Sequence, residues 1–210
     1  VLGCTLLSER SSLAELNTLT PQEASEGWLL LFDGHTTFGW AQREGSEWIV
    51  QEGALSYKPG SGSGYLATKT EFSDYQLHVE FWIDEVANSG VFLRCPVSGP
   101  ISSTNAYEVN IYDAHEKWPT GSINEIAKAR ESQKTARRWN TYDLTAEGDH
   151  LVVKLNGITT VDAHDNKHSR GVIALQNFKG EGEVRFRNIK LKPLNLKSIF
   201  NGKDLTGWKE

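Results

Sequence analysis

The chain has no run of about 18 apolar residues, the length that a membrane-crossing helix requires, so no such helix is expected. It also has no basic excess. Lys and Arg number 22 against 27 Asp and Glu, a formal charge of −5, and both signs are scattered. Such a surface gives nucleic acid no stripe to grip, so nucleic acid is not an expected partner. Ser61-Gly62-Ser63-Gly64 has neither the Lys nor the following helix of a phosphate loop, and no Ser-His-Asp nucleophile signature is visible. Cysteine is scarce, with two in 210 residues. Cys95 falls within an apolar strand pattern and reads as an inert buried thiol. Cys4 follows Val1-Leu2-Gly3, which is similar to the end of a bacterial lipoprotein signal, though the charged and apolar stretches that precede such a site are absent from the sequence. The expectation is an exported, cell-envelope protein of bacterial type with a lipid anchor through Cys4.

What remains is the composition of a folded soluble domain, 38% hydrophobic and 23% charged, with seven tryptophans. Each Trp reads either as core or as a platform for the C–H face of a sugar ring. Residues 1–26 are polar and read as a linker with one short helix, started by Thr20 as cap, Pro21 in the first turn and Glu23 three positions on. From 27 to 194 the pattern is that of short strands separated by Gly, Asn and Asp. In Tyr75–Ile83, Leu77, Val79, Phe81 and Ile83 point one way, and His78, Glu80 and Trp82 the other. Glu52-Gly53 and Asn156-Gly157 are tight hairpin turns. About ten such strands and almost no helix predict an all-β fold, with two antiparallel sheets packed face to face.

Residues 195–210 stand apart. Phe32, Gly34, Gly39 and Trp40 recur 168 positions later as Phe200, Gly202, Gly207 and Trp208. The spacing predicts that a second copy of the domain begins there, and so further domains in the parent chain.

Ionisable and amide side chains alternate with apolar ones on several strands. Arg94 shares a side with Gly90 and Phe92; Glu108 shares one with Asn110; Gln176 shares one with Ala174. If these strands are neighbours, Glu80, Arg94, Glu108, Asn110 and Gln176 meet over one surface, with Trp82 or Trp139 to stack on a ring. Carboxylates, amides and a guanidinium there suit sugar hydroxyls, and two carboxylates allow general acid–base work. The plainer reading is that any half-exposed sheet has a polar outer face. Asp162, His164, Asp165 and His168 have metal-ligand chemistry but follow a strand end, where solvated turns are common. No cofactor is expected, and metal use stays open.

The segments FDGHTTFGW, NSGVFLR, YEVNIYD, TGSINEI, WNTYDL, LNG, RGVIALQNF and VRFRNIKL, in that order, resemble the 3-keto-disaccharide hydrolase domain family over residues 27–194. The resemblance implies a concanavalin A-like jelly-roll sandwich, often on exported lipoproteins. It also implies action on glycosides already oxidised at sugar C3. The ketone acidifies the C2 proton, a base removes it, the C1 substituent leaves, and water adds back. On this pattern Glu108 is the leading acid/base candidate, Glu80 the second carboxylate and His115 an alternative base. Arg94 and Gln176 would bind substrate or stabilise charge, and Asn110 would meet a hydroxyl. Many relatives have Tyr in the loop after Thr-Gly where this chain has Asn124, a change in stacking or proton supply that bears on substrate choice. Three functions remain in view: a hydrolase or lyase of glycosides, a non-catalytic carbohydrate-binding module, and a structural sandwich.

Overall fold

The computed structural model describes residues 16–57, 60–178, 182–196, 202–204 and 206. Cys4 and most of the repeated segment, including Phe200, Gly207 and Trp208, lie outside the described residues. One helix, α1 (Pro21–Ser25), opens the order. Thirteen strands follow among the described residues: β1 (Leu29–Leu30), β2 (Trp40–Glu44), β3 (Trp48–Gln51), β4 (Ala54–Tyr57), β5 (Gly64–Thr68), β6 (Tyr75–Ile83), β7 (Ser89–Cys95), β8 (Tyr107–Ile111), β9 (Trp139–Glu147), β10 (His150–Leu155), β11 (Ile158–His164), β12 (Val172–Asn177) and β13 (Val184–Pro193). All pairings are antiparallel.

The strands form two sheets. The larger runs β11-β10-β9-β6-β13-β4-β3, with β1 added against β13; the smaller runs β2-β5-β12-β7-β8. Between them lies one apolar layer. Leu55, Leu77, Val79, Phe81, Tyr142, Leu144 and Phe186 from the larger sheet face Leu66, Val91, Leu93, Val109, Ile111, Ile173 and Leu175 from the smaller. The strict alternation of β6 explains its place, because its apolar residues are buried and its polar ones half-buried along its whole length. Burial of each such large side chain is worth about 1.5–3 kcal/mol.

Turns follow from local chemistry. Glu52 (φ 51°) with Gly53 (φ 71°), and Asn156 (φ 51°) with Gly157 (φ 81°), close the β3–β4 and β10–β11 hairpins in the positive-φ pair that a two-residue turn requires. Around α1, Thr20 and Glu23 form a reciprocal capping box, and Lys190 of β13 holds Glu23 at 2.8 Å. Asn17 ties the chain ahead of the helix to the sandwich. Its N–H donates to Asn188 Oδ1 (2.6 Å), its Oδ1 accepts the Asn188 N–H (2.8 Å), and its Nδ2 donates to the Gly53 carbonyl (2.9 Å). Asn188 sits where the β13–β6 register slips, so Asn17 satisfies a backbone group that the ladder leaves open. The Phe32-Asp33-Gly34 motif has its reason here too. Gly34 has φ 80°, and a Cβ on it would come 2.7 Å from Asn17 Nδ2.

The outer face of the smaller sheet is not the solvated surface that alternation alone would suggest. Tyr65, Ala67, Phe92, Cys95, Val172 and Ala174 are buried there with Ile101 and Ala106 from the connection between β7 and β8. A second segment covers the β8 edge: Asn110 N–H donates to the Ser122 carbonyl (3.0 Å), and the N–H groups of Gly121 and Asn124 donate to the carbonyls of Asn110 and Glu108 (3.1 and 2.9 Å).

Candidate active site

Beneath these two coverings lies a cavity of about 280 Å³, lined by Glu108, Asn110, His115, Asn124 and Gln176 together with Tyr65, Phe92, Asn88, Ser102, Ser103, Ile101 and Phe178. Strand register builds its floor. Glu108 stands opposite Phe92, and Asn110 opposite Gly90; Ala174 stands opposite Phe92, and Gln176 opposite Tyr65. Gly90 leaves the hollow open, since a Cβ there would lie 3.2 Å from the Phe92 ring and 3.3 Å from Glu108 Cγ.

Glu108 is 8% exposed. Burial pushes its carboxyl up to about 7, partly offset by a hydrogen bond from the Asn124 side chain. Two further acceptors make no hydrogen bond within the protein: Asn124 Oδ1 and Gln176 Oε1, both buried. A buried acceptor without a donor costs free energy, so a ligand rich in hydroxyl donors suits this wall. Gln176 is fixed from its other end, with Nε2 donating to the Tyr65 hydroxyl (3.4 Å), which itself donates to the Ile101 carbonyl (3.0 Å). Asn110 Nδ2 donates to the Trp118 carbonyl, so Asn110 holds the 112–118 loop. His115 Nδ1 accepts the Trp118 N–H at 3.1 Å. Phe178, 38% exposed, stands at the rim.

The structure thus brings together Glu108, Asn110, His115, Asn124 and Gln176, and separates Glu80, Arg94, Trp82 and Trp139 from them. Glu80, Trp82 and Trp139 lie on the outer face of the larger sheet. Alternation tells which residues share a face of one strand; it does not tell which strands share a sheet. Glu80 accepts from Arg187 Nε and Asn188 Nδ2, each at 2.7 Å. Trp82 and Trp139 are cross-strand neighbours, and the guanidinium groups of Arg185 and Arg187 lie over them at 5.6 and 3.8 Å. Neither ring is offered to the cavity.

Arg94 fails for another reason. The β7–β12 register slips between Phe92 and Cys95, and Arg94 takes φ 55° at that bulge. Phe92 and Cys95 therefore share the outer face, and Arg94 turns away from it. Its guanidinium, 2% exposed with the rest of the residue, donates to the carbonyls of Ser73, Gly148 and His168 at 2.8–2.9 Å and meets Asp74 at 3.2 Å. Arg94 is a structural clamp for three loops. Asp162, His164, Asp165 and His168 are likewise parted: Asp162 pairs with His150, His164 with Asp149, Asp165 accepts the Tyr107 hydroxyl, and the His168 ring packs on Tyr107. Among the described residues no three such groups are placed to hold a metal.

Sequence reasoning missed Tyr65, Asn88, Ser102 and Ser103. Tyr65 lies in a short strand hidden behind Gly-rich turn residues, and the two serines lie in a loop without periodicity.

A sequence model of the 3-keto-alpha-glucoside-1,2-lyase-like domain matches residues 27–192. A 3-keto-disaccharide hydrolase of Bacteroides thetaiotaomicron is 28% identical over 97 residues, which are 40% of this chain and 33% of that protein. The match therefore spans about a third of that relative's length. Among solved structures, a Parabacteroides distasonis protein provisionally named a glycosyl hydrolase is 20% identical with a TM-score of 0.78, covering 86% of this chain and all of that one. The carbohydrate-binding module CBM66 of Bacillus subtilis is 20% identical with a TM-score of 0.57, covering 72% of this chain and 94% of its own. These two likenesses are of fold.

Proposed function

The chain belongs to the 3-keto-alpha-glucoside-1,2-lyase-like domain family, and we propose that it cleaves glycosides whose sugar carries a ketone at C3, with Glu108 as the base. The observation that carries this reading is a single buried carboxyl, poised near neutral pH, in a cavity where two buried acceptors, Asn124 Oδ1 and Gln176 Oε1, have no partner. A general base works best when its pKa lies close to the operating pH. Ionised Glu108 takes the proton from C2, and the electron pair is held as an enolate on the C3 oxygen. The pair then forms the C1–C2 double bond as the C1–O bond breaks, and the departing oxygen gains a proton from water. The hydroxide so formed adds at C1, and the proton returns to C2 from Glu108, which completes hydrolysis with one water consumed. Asn124 Oδ1 and Gln176 Oε1 accept from hydroxyls of the sugar. Phe92, Tyr65 and Phe178 give its C–H surface an apolar border.

One observation favours a binding role instead: with Glu80 on the other sheet, Glu108 is the sole carboxylate among the described residues lining the cavity. Incubation with a 3-keto-glucoside separates the two readings. Wild type is expected to consume it, and Glu108→Gln to retain binding while losing roughly 10²–10⁴-fold in turnover. Binding without turnover by wild type across a panel of such substrates would establish the module and sink the enzyme.

A further inference from the structure

We infer that His115 serves this cavity as a hydrogen-bond donor through Nε2–H, aimed at the carbonyl oxygen of the sugar, and not as a base. In a neutral imidazole one nitrogen carries the proton and the other a lone pair. The Nδ1 lone pair of His115 is already used, because it accepts the Trp118 N–H at 3.1 Å. The proton of the neutral ring therefore sits on Nε2, and a nitrogen that carries a proton cannot remove one from carbon.

Trp118, whose N–H sets this tautomer, and the loop around it are held from several sides. The Trp118 carbonyl accepts from Asn110 Nδ2, Trp118 Nε1 donates to Glu125 at 3.3 Å, and Asp113 accepts from the Thr120 and Thr135 hydroxyls at 2.6 and 2.7 Å. His115 N–H itself donates to the Tyr112 carbonyl at 3.2 Å, closing the turn that carries the ring. Such support fixes ring orientation as well as proton position.

This donor complements the rest of the wall. Glu108, Asn124 Oδ1 and Gln176 Oε1 are acceptors and suit hydroxyl groups, whereas a ketone has no proton to give them. A ketone oxygen needs a donor, and the need grows as it becomes an enolate, so a fixed N–H there stabilises the charge that forms. The oxidised carbon is thereby turned toward the 112–118 loop, and the hydroxyls toward β12 and Asn124. That the oxygen belongs to a 3-keto-sugar rests on the function proposed above; the tautomer does not.

Two measurements on the full chain test this. Long-range proton–nitrogen NMR of the ¹⁵N-labelled protein, with the His115 signals identified by their loss in His115→Gln, should show the neutral ring protonated at Nε2. In turnover of a 3-keto-glucoside, His115→Gln keeps an N–H donor and should stay within about tenfold of wild type, whereas His115→Phe should lose roughly 10²–10³-fold in kcat. A ring protonated at Nδ1, or Gln and Phe variants equally impaired, would overturn the inference. If wild type turns over no 3-keto-glucoside, the enzymatic reading fails by itself. The tautomer is then still read by NMR, and the Gln–Phe comparison is made on affinity for the keto-sugar, equal affinities again overturning the donor role.

Discussion

Glu108 is buried, and its carboxyl is raised from 4.5 to about 7 by that burial, against the pull of the Asn124 amide. A raised carboxyl pKa means that the folded chain holds this proton more tightly than the unfolded one. The stabilisation is complete below about pH 4.5 and is lost as pH rises through about 7, a change of about 3 kcal/mol for a residue this buried. Urea unfolding across that window should show Glu108→Gln, which carries no charge to bury, gaining on wild type as pH rises; parallel profiles for the two proteins would refute it. Arg94 works in the opposite sense, as a buried cation satisfied by three carbonyls and Asp74. Arg94→Met should cost about 3–5 kcal/mol of unfolding free energy, because it strands those acceptors, yet leave turnover per folded molecule close to wild type. A selective loss of kcat without loss of stability would return Arg94 to the site.

At the scale of elements, the hairpins and the alternation of β6 could be read from residue chemistry, because a positive-φ turn and a two-residue period are local properties. Gly157 has φ 81° with open space around the position of a Cβ, so Gly157→Ala should cost about 1–2 kcal/mol through the backbone alone, measured as a shift in unfolding midpoint with unchanged turnover. A neutral substitution would show that the turn relaxes. What the residues did not disclose was non-local. The slip that turns Arg94 away depends on β12 lying beside β7, and nothing in SGVFLRC announces it. Glu80 and Trp82 alternate as cleanly as Glu108 and Asn110, yet β6 pairs with β9 and β13 in the other sheet. The strand β5 that carries Tyr65 is five residues long, too short beside its Gly-rich turn to declare a period.

At the scale of the molecule, two sheets of the same alternating pattern end with different outer faces. On the larger sheet the outward polar groups are satisfied, Arg187 by Glu80 of the neighbouring strand and Lys190 by Glu23 of α1. On the smaller sheet two loop segments fold across, so that the Glu108 carboxyl, Asn124 Oδ1 and Gln176 Oε1 are buried without a full set of partners. That imbalance is what a folded chain tolerates where a ligand supplies the missing groups. The most direct measurement of the central claim is deuterium exchange at C2 of a 3-keto-glucoside in D₂O, followed by proton NMR. Wild type should wash out the C2 proton, and Glu108→Gln should slow that exchange by roughly 10²–10⁴-fold; exchange by Glu108→Gln at the wild-type rate would contradict the assignment of Glu108 as the base.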